Sequence, residues 1–524
     1  MSNTNSDSPY YKSSENEPIV HPLLRRSFAF VATVGMRLAP EIMLLELFRE
    51  VFPKEHCEST GEKVLDPDEL RDDRSYYYSN EERAVLYALR GRRRKASNAR
   101  SKPFFAPAYA SLARNAWLRR KSDRVINRLL LNGAIAQHLW HKGETEDKKR
   151  EQKEFTDSLL RSLVGQNSYQ GGDQRGKDIL SVALKPVPSV VDEALAKENL
   201  LKKTGSDAAL KIPRDPLGHR VFGDLLALCK LEGEVPRMQW LQVLMTFLRF
   251  SLPMWLLAQM HITSLLHEWL LDAIDKGDIA TRDQIEMGIM HRNQELLHPT
   301  LAPTREIFER TELYMKHRVE LSILLYMLGN VRGKQIENKR FEINGAGSGV
   351  LTVEELLLIA RDAAIEMKSS DWYKKVTESD RFQDFLTREA EQHAAWRDPL
   401  NKGQGKNIDE FFRVLYRDNQ GDEAGGYLLV PEGRGKTRGF RVFPGQLLLK
   451  TITFLSARGK QSNSSARGGG KLVLEDVENH FKQYGIDFSC AADARPLLMR
   501  ELQAMGLLTG SPDAGSSVAV ACPY

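Results

Sequence analysis

The stretch Trp240–Met260, WLQVLMTFLRFSLPMWLLAQM, decides the fold, because it is about as long as the roughly 20 residues that cross a bilayer. Gln242, Arg249, Pro253 and Gln259 interrupt it. An Arg near the middle of a lipid-embedded helix costs at least about 2.5 kcal/mol. Downstream, His261, His267, Glu268, Asp272 and Asp275 continue the helical pattern where a span would need a polar stop. The stretch therefore reads as a buried helical pair broken near Pro253, whose ring removes a backbone donor. The expectation is a soluble, cytoplasmic chain with no membrane partner.

Around this core the chain has 524 residues, too many for one compact unit, and roughly 150 residues per domain suggests three or four. Hydrophobic residues at 41% and charged residues at 28% exclude a wholly disordered chain, a collagen-like fibre and a disulfide-stapled miniprotein. Cys57, Cys229, Cys490 and Cys522 form no CxxC pair, which suits a reduced, intracellular protein. Residues 1–20 are polar and read as a flexible tail, not a secretory signal. Residues 21–165 read as a basic helical domain, and Gln166–Lys177, QNSYQGGDQRGK, opens a weakly periodic linker over 166–215.

Residues 216–343 form the expected apolar helical core, including a helix over Glu306–Gly329 that buries Tyr314, Val319, Leu324 and Met327. Asn344–Gly349, NGAGSG, marks a hinge into a helical domain with short strands over 344–441. Thr352 and Glu355 have the spacing of a capping box before an apolar run. Helices are expected near Asp380–Ala395 and Asn407–Tyr416, and a strand at Tyr427–Val430. The fold class is mainly α, a multi-domain helical protein ending in an α+β unit.

Charge is unevenly placed. The whole chain carries +5, but 90–128 holds thirteen basic residues against the single acid Asp123, a net +12. Its candidate phosphate contacts are Arg92, Arg93, Arg94, Lys95, Arg100, Arg114, Arg119, Arg120, Lys121 and Arg124. A second zone, 433–474, has nine basic residues and no acid, among them Arg434, Lys436, Arg438, Arg441, Arg458, Lys460, Arg467 and Lys471. Such clustering is self-repulsive unless an anion offsets it, and a polyphosphate backbone does so with release of its condensed counterions. The alternatives are a solvated face or pairing with carboxylates of the same chain. Phe104, Phe105, Tyr109 and Trp117 are interleaved with the first zone, but Trp117 has the helical spacing of a core-packing residue.

The last eighty residues order as a helix over Pro444–Arg458, a Gly/Ser/Arg-rich insertion, a helix over Leu474–Tyr484 and a helix over Ala491–Met505. Two strand-like runs follow, Leu507–Thr509 and Ser517–Ala521, joined by a Gly/Pro turn. This order over 442–524 resembles the winged-helix form of the helix-turn-helix domain. The resemblance implies that the third helix faces a major groove, with Arg495, Arg500 and Gln503 as contacts. Asp493 and Glu501 cancel the two arginines, so a docking role for the same unit stays open.

Catalytic signatures are lacking. Gly435-Lys436-Thr437 has Val430 where a phosphate-binding loop needs its first Gly. His138 and His141 lie on one helical face without a neighbouring acid or Cys, and His261 and His267 read as core-edge residues. No GxSxG, HExxH, dinucleotide-binding glycine pattern or kinase set occurs. No cofactor or metal is expected. The sequence therefore leads to a non-enzymatic nucleic-acid-binding accessory subunit. Its partners would be double-stranded DNA and other protein subunits, as in a bacterial DNA-defence or restriction system. A scaffold docking an acidic partner is the alternative, and a metal-dependent nuclease built from dispersed residues is the third reading.

Overall fold

A long helix organises the rest of the described residues. The computed structural model describes residues 43, 158, 162, 210–211, 216–299, 303–331, 351–379, 381–392, 408–409, 411–417, 425–432, 439–463, 471–490, 492–509 and 518–524. The central helix is α2 (Arg237–Asp275), preceded by β1 (Leu210–Lys211) and α1 (Pro216–Leu231). The expected pair of helices is thus one helix of 39 residues with Pro253 inside it. A proline in a helix interior costs about 3 kcal/mol. Here Phe250, Leu252, Met254, Trp255, Leu256 and Leu257, before and after the proline, are all buried. Burying one such side chain is worth roughly 1.5–3 kcal/mol, so packing outweighs the lost hydrogen bond. The most apolar window of this helix is 89% buried within the protein.

At about 1.5 Å per residue, α2 is roughly 58 Å long and reaches two separate cores. Its first part, Trp240–Met260, belongs to a cluster that includes Leu217–Leu231 side chains, Phe411, Phe412 and much of 442–520. Its second part, Ile262–Ile274, packs with Val319–Leu328 and with apolar residues of 353–390. Each core therefore draws on residues from both sides of position 343, and the first also crosses 441. Met43 joins the first core, and Ser162 Oγ donates to Cys229 O at 2.9 Å, so the N-terminal half of the chain reaches it too.

The helices beside the second core are α3 (Arg282–Asn293), α4 (Pro303–Val331), α5 (Val353–Ser369), α6 (Asp371–Ser379) and α7 (Phe382–Gln392). Tyr314, Val319, Leu324 and Met327 are buried, as their spacing indicates. Strand β2 (Leu351–Thr352) pairs in parallel with β1 and leads into α5. The capping box at its start is present: Glu355 N–H donates to Thr352 Oγ1 at 3.2 Å, and Thr352 N–H donates to Glu355 Oε2 at 2.7 Å. Two orphan donors of the first turn are thereby satisfied.

Residues 425–432 and 439–445 form a tight antiparallel ribbon, β3 (Leu429–Glu432) with β4 (Gly439–Val442). Gly425, at φ +68°, turns its carbonyl onto the start of α8 (Gln446–Asn463), accepting from Leu447 N–H at 3.1 Å and Leu448 N–H at 3.2 Å. A Cβ on Gly445 would overlap that carbonyl. Gly445→Ala should therefore lower stability by about 1–3 kcal/mol, the cost of overpacking against a backbone that cannot step aside. Urea denaturation measures this, and an unchanged midpoint would show that the crossing is looser than described.

The chain closes with α9 (Leu474–Gln483) and α10 (Ala494–Ala504). Gly485 at φ +79° and Gly506 at φ +70° end them in the left-handed region, where glycine carries no Cβ penalty. Val473 bridges Ala519, and Leu508 bridges Val520, both antiparallel. The run 518–520 thus lies between 472–474 and 507–509, held by Leu474 N–H to Val518 O and Ala521 N–H to Leu507 O.

Candidate functional site

Arg92, Arg93, Arg94, Lys95, Arg100, Arg114, Arg119, Arg120, Lys121, Arg124, Arg434, Lys436, Arg438 and Arg467 lie outside the described residues, as do His138 and His141. Of the described cations of the second zone, Arg441, Arg458 and Lys460 face carboxylates of their own chain. Arg441 Nη1 is 3.6 Å from Glu432 Oε1, with its guanidinium over the Phe443 ring. Arg458 on α8 pairs with Glu234 and lies over Phe454. Lys460 Nζ donates to Asp476 Oδ2 at 2.7 Å and to Lys471 O at 2.8 Å. Exposed pairs of this kind contribute roughly 0–1 kcal/mol each. They nonetheless neutralise charge that an anion would otherwise meet.

On α10 the three expected contacts divide. Arg495 Nε turns back to Glu478 Oε1 of α9 at 2.8 Å, so it ties two helices together. Arg500 is 65% exposed, with Glu501 at 3.9 Å, and Gln503 is also exposed. Lys471 is exposed beside the start of α9.

The C-terminal helices are anchored to the body by a buried polar knot. Asp224 on α1 accepts at Oδ2 from Tyr484 Oη–H at 2.8 Å, from His480 at 3.0 Å and from Arg220 Nε–H at 3.1 Å. Arg220 Nη2 lies 2.7 Å from His480 Nδ1, which makes Nδ1 the acceptor and Nε2 the protonated nitrogen facing Asp224. Burial alone would raise the Asp224 pKa, but His480, Arg220 and Tyr484 together hold it below the ordinary aspartate value. Burial pushes the His480 pKa down, and Asp224 reverses this only in part. The Tyr484 hydroxyl is driven well above its usual range by burial and by the carboxylate.

A second polar cluster lies between α2 and α4. His267 on α2 is 1% exposed, and Glu320 on α4 is 0% exposed. His267 Nε2 and Glu320 Oε2 are 3.0 Å apart. His317, one turn before Glu320, stacks on His267 with ring centroids 4.3 Å apart. Thr387 Oγ1–H donates to Glu320 Oε1 at 2.8 Å, and Lys316 Nζ stands 3.8 Å from the same oxygen. Burial, then the neighbouring His267, pushes the His317 pKa down to about 3. Burial would raise the Glu320 pKa, but contacts with His267 and Thr387 hold it below the ordinary glutamate value. His267 and His317 open onto a cavity of about 1030 Å³, whose walls include Glu268, Asp272, Asp275 and Asp384.

His267 is thus fully interior and part of a cluster, where its spacing indicated a core edge. His261, six residues earlier, lines a different cavity, with Nδ1 3.2 Å from Arg292 O. The local signal for the cluster was His317-Arg-Val-Glu320, an imidazole and a carboxylate three apart on one helical face. Its third member comes from another helix and leaves no mark in that motif. No protein family, curated protein or solved structure matches the chain.

Proposed function

We propose that this protein is a nucleic-acid-binding accessory subunit that grips phosphates through segment 90–128. The observation that carries this reading is the net +12 of that segment in a chain whose total is +5. Clustered like charge favours a polyanion, and phosphate contacts position a protein without reading bases. Arg441, Arg458, Lys460 and Arg495 each sit against a carboxylate of the same chain, so these four offer an anion less free charge than their number suggests. We read 442–524 as a winged-helix unit. Three helices and two antiparallel bridges in the order expected of that fold support it, and Arg500 and Gln503 on α10 would be its outward contacts. The partner is taken to be double-stranded DNA, within a cytoplasmic complex of the DNA-defence or restriction type.

Duplex-binding titrations over a range of salt concentrations test this. Log affinity should fall linearly with log salt, at a slope of roughly −0.9 per phosphate neutralised. Replacing Arg92, Arg93, Arg94, Arg119 and Arg120 by Gln should flatten that slope by up to about 4.5, if each meets one phosphate. Salt-independent affinity, or a variant that binds like the wild type, removes the proposal. Arg458→Gln should change the slope by much less, because its charge is already met by Glu234. A second reading, docking of an acidic protein partner, is favoured by the near-neutrality of α10. In that case deleting 442–524 would dissolve the complex and leave nucleic-acid binding intact.

A further inference from the structure

We propose that His267, His317 and Glu320 hold one divalent transition-metal ion, with zinc the best fit, at the foot of the acid-walled cavity. One donor atom from each residue lies within 4.8 Å of the other two. Ligand atoms around one ion with bonds of about 2.1 Å are spaced by roughly 3–3.5 Å. The edge between His267 Nε2 and Glu320 Oε2 already has this length at 3.0 Å. The His267 and His317 rings are stacked with planes 15° apart, so ion binding requires the His317 ring to turn out of the stack until its nitrogen points at the same centre.

Four further observations point to an ion over a plain hydrogen-bonded cluster. His317 Nδ1 is buried with no hydrogen-bond partner, although buried polar atoms are normally satisfied, and His267 Nε2 and Glu320 Oε2 meet only each other, at 3.0 Å. Glu320 divides its two oxygens: Oε1 is fixed by Thr387, and Oε2 points to the histidines. That is how an outer-shell donor orients a metal-binding carboxylate. Lys316 is 3.8 Å away on the Oε1 side, so at Oε2 the carboxylate faces only the imidazole of His267. Finally, Glu268, Asp272, Asp275 and Asp384 outnumber Lys276 and Arg381 around the cavity and would draw cations inward.

The donor set selects the ion. Two imidazoles and one carboxylate suit zinc and its first-row neighbours, whereas calcium and magnesium want oxygen ligands. Three protein ligands leave at least one position open, and the cavity gives solvent a route to it.

The test uses the full-length chain stripped with a chelator and titrated with Zn²⁺ against a chromophoric competitor. One equivalent should bind, and His317→Gln and Glu320→Gln should each weaken it by at least about 100-fold. Circular dichroism of the metal-free variants separates lost ligation from lost folding. X-ray absorption on the zinc-loaded wild type needs no variant: it should report two imidazole ligands and oxygen. No tight zinc, binding that survives His317→Gln, or a shell with fewer than two imidazoles would each overturn the proposal.

Discussion

Asp224→Ala is expected to destabilise the protein by about 3–5 kcal/mol, the range for removing one partner of a buried ionic group. Asp224 is 4% exposed and has three side-chain donors on one oxygen. Its loss strands the Arg220 charge, which is then left facing His480 alone. Tyr484, buried at 0% exposure and packed against Phe250 with centroids 4.9 Å apart, loses the acceptor for its hydroxyl. Asp224→Asn keeps the shape and one acceptor oxygen, so it should cost less than the alanine change. Urea midpoints for the three proteins rank them directly. If alanine and wild type unfold together, the knot contributes nothing and α9 is held by its apolar face alone.

The same knot sets an acid dependence. His480 has a folded pKa below its ordinary 6.5, so below that pH the unfolded chain takes up a proton that the folded chain resists. Stability is therefore lost as pH falls from about 6.5. Asp224 has a folded pKa below its ordinary 3.8, so its contribution is complete above that value and is lost as pH falls through the folded pKa. In Asp224→Asn the second loss should vanish. Denaturation midpoints taken from pH 7 to pH 3 would show it.

Features set by neighbouring residues were legible in the sequence. The Thr352–Glu355 cap, the glycine stops at 485 and 506 and the apolar face of α4 all depend on positions within a turn or two. Arg458 with Glu234 is a different kind of feature, joining residues 224 positions apart, and His480 with Asp224 joins residues 256 apart. Composition shows a run without acids over 433–474, but it cannot show that Glu234 and Asp476 meet Arg458 and Lys460 from outside it. The cluster of His267, His317 and Glu320 was half legible for the same reason: the pair on α4 shares a helical face, and the third residue comes from α2. The continuous α2 was misjudged at Pro253 because a local rule against proline met a non-local gain in packing. Helix α6, absent from the sequence reading, is short and holds Tyr373 and Val376 against the second core, so tertiary contact sustains it.

The residue that argues most strongly against a lipid-facing α2 should also be one whose replacement by an apolar residue harms the fold. Arg249 is 5% exposed in the middle of the most apolar helix. Its Nε–H donates to Val414 O at 2.5 Å and its Nη2–H to Tyr416 O at 2.6 Å, fixing the short 3₁₀ turn Arg413–Leu415 against α2. From hydropathy alone, Arg249→Leu should stabilise a buried helix. The structure reverses the sign. Leaving a buried carbonyl unmatched costs about 1–3 kcal/mol, and leucine is too short to fill the space of the guanidinium. The transfer gain of a leucine offsets part of this, so the net loss should be about 2–4 kcal/mol. Arg249→Lys retains one donor without the planar fork and should fall between leucine and wild type. Hydrogen exchange at Tyr416 and Leu428, whose amides donate to Arg413 O and Leu415 O, should accelerate in the leucine variant. A leucine variant as stable as the wild type would mean that those carbonyls find other partners and that the charge in α2 is not a structural requirement.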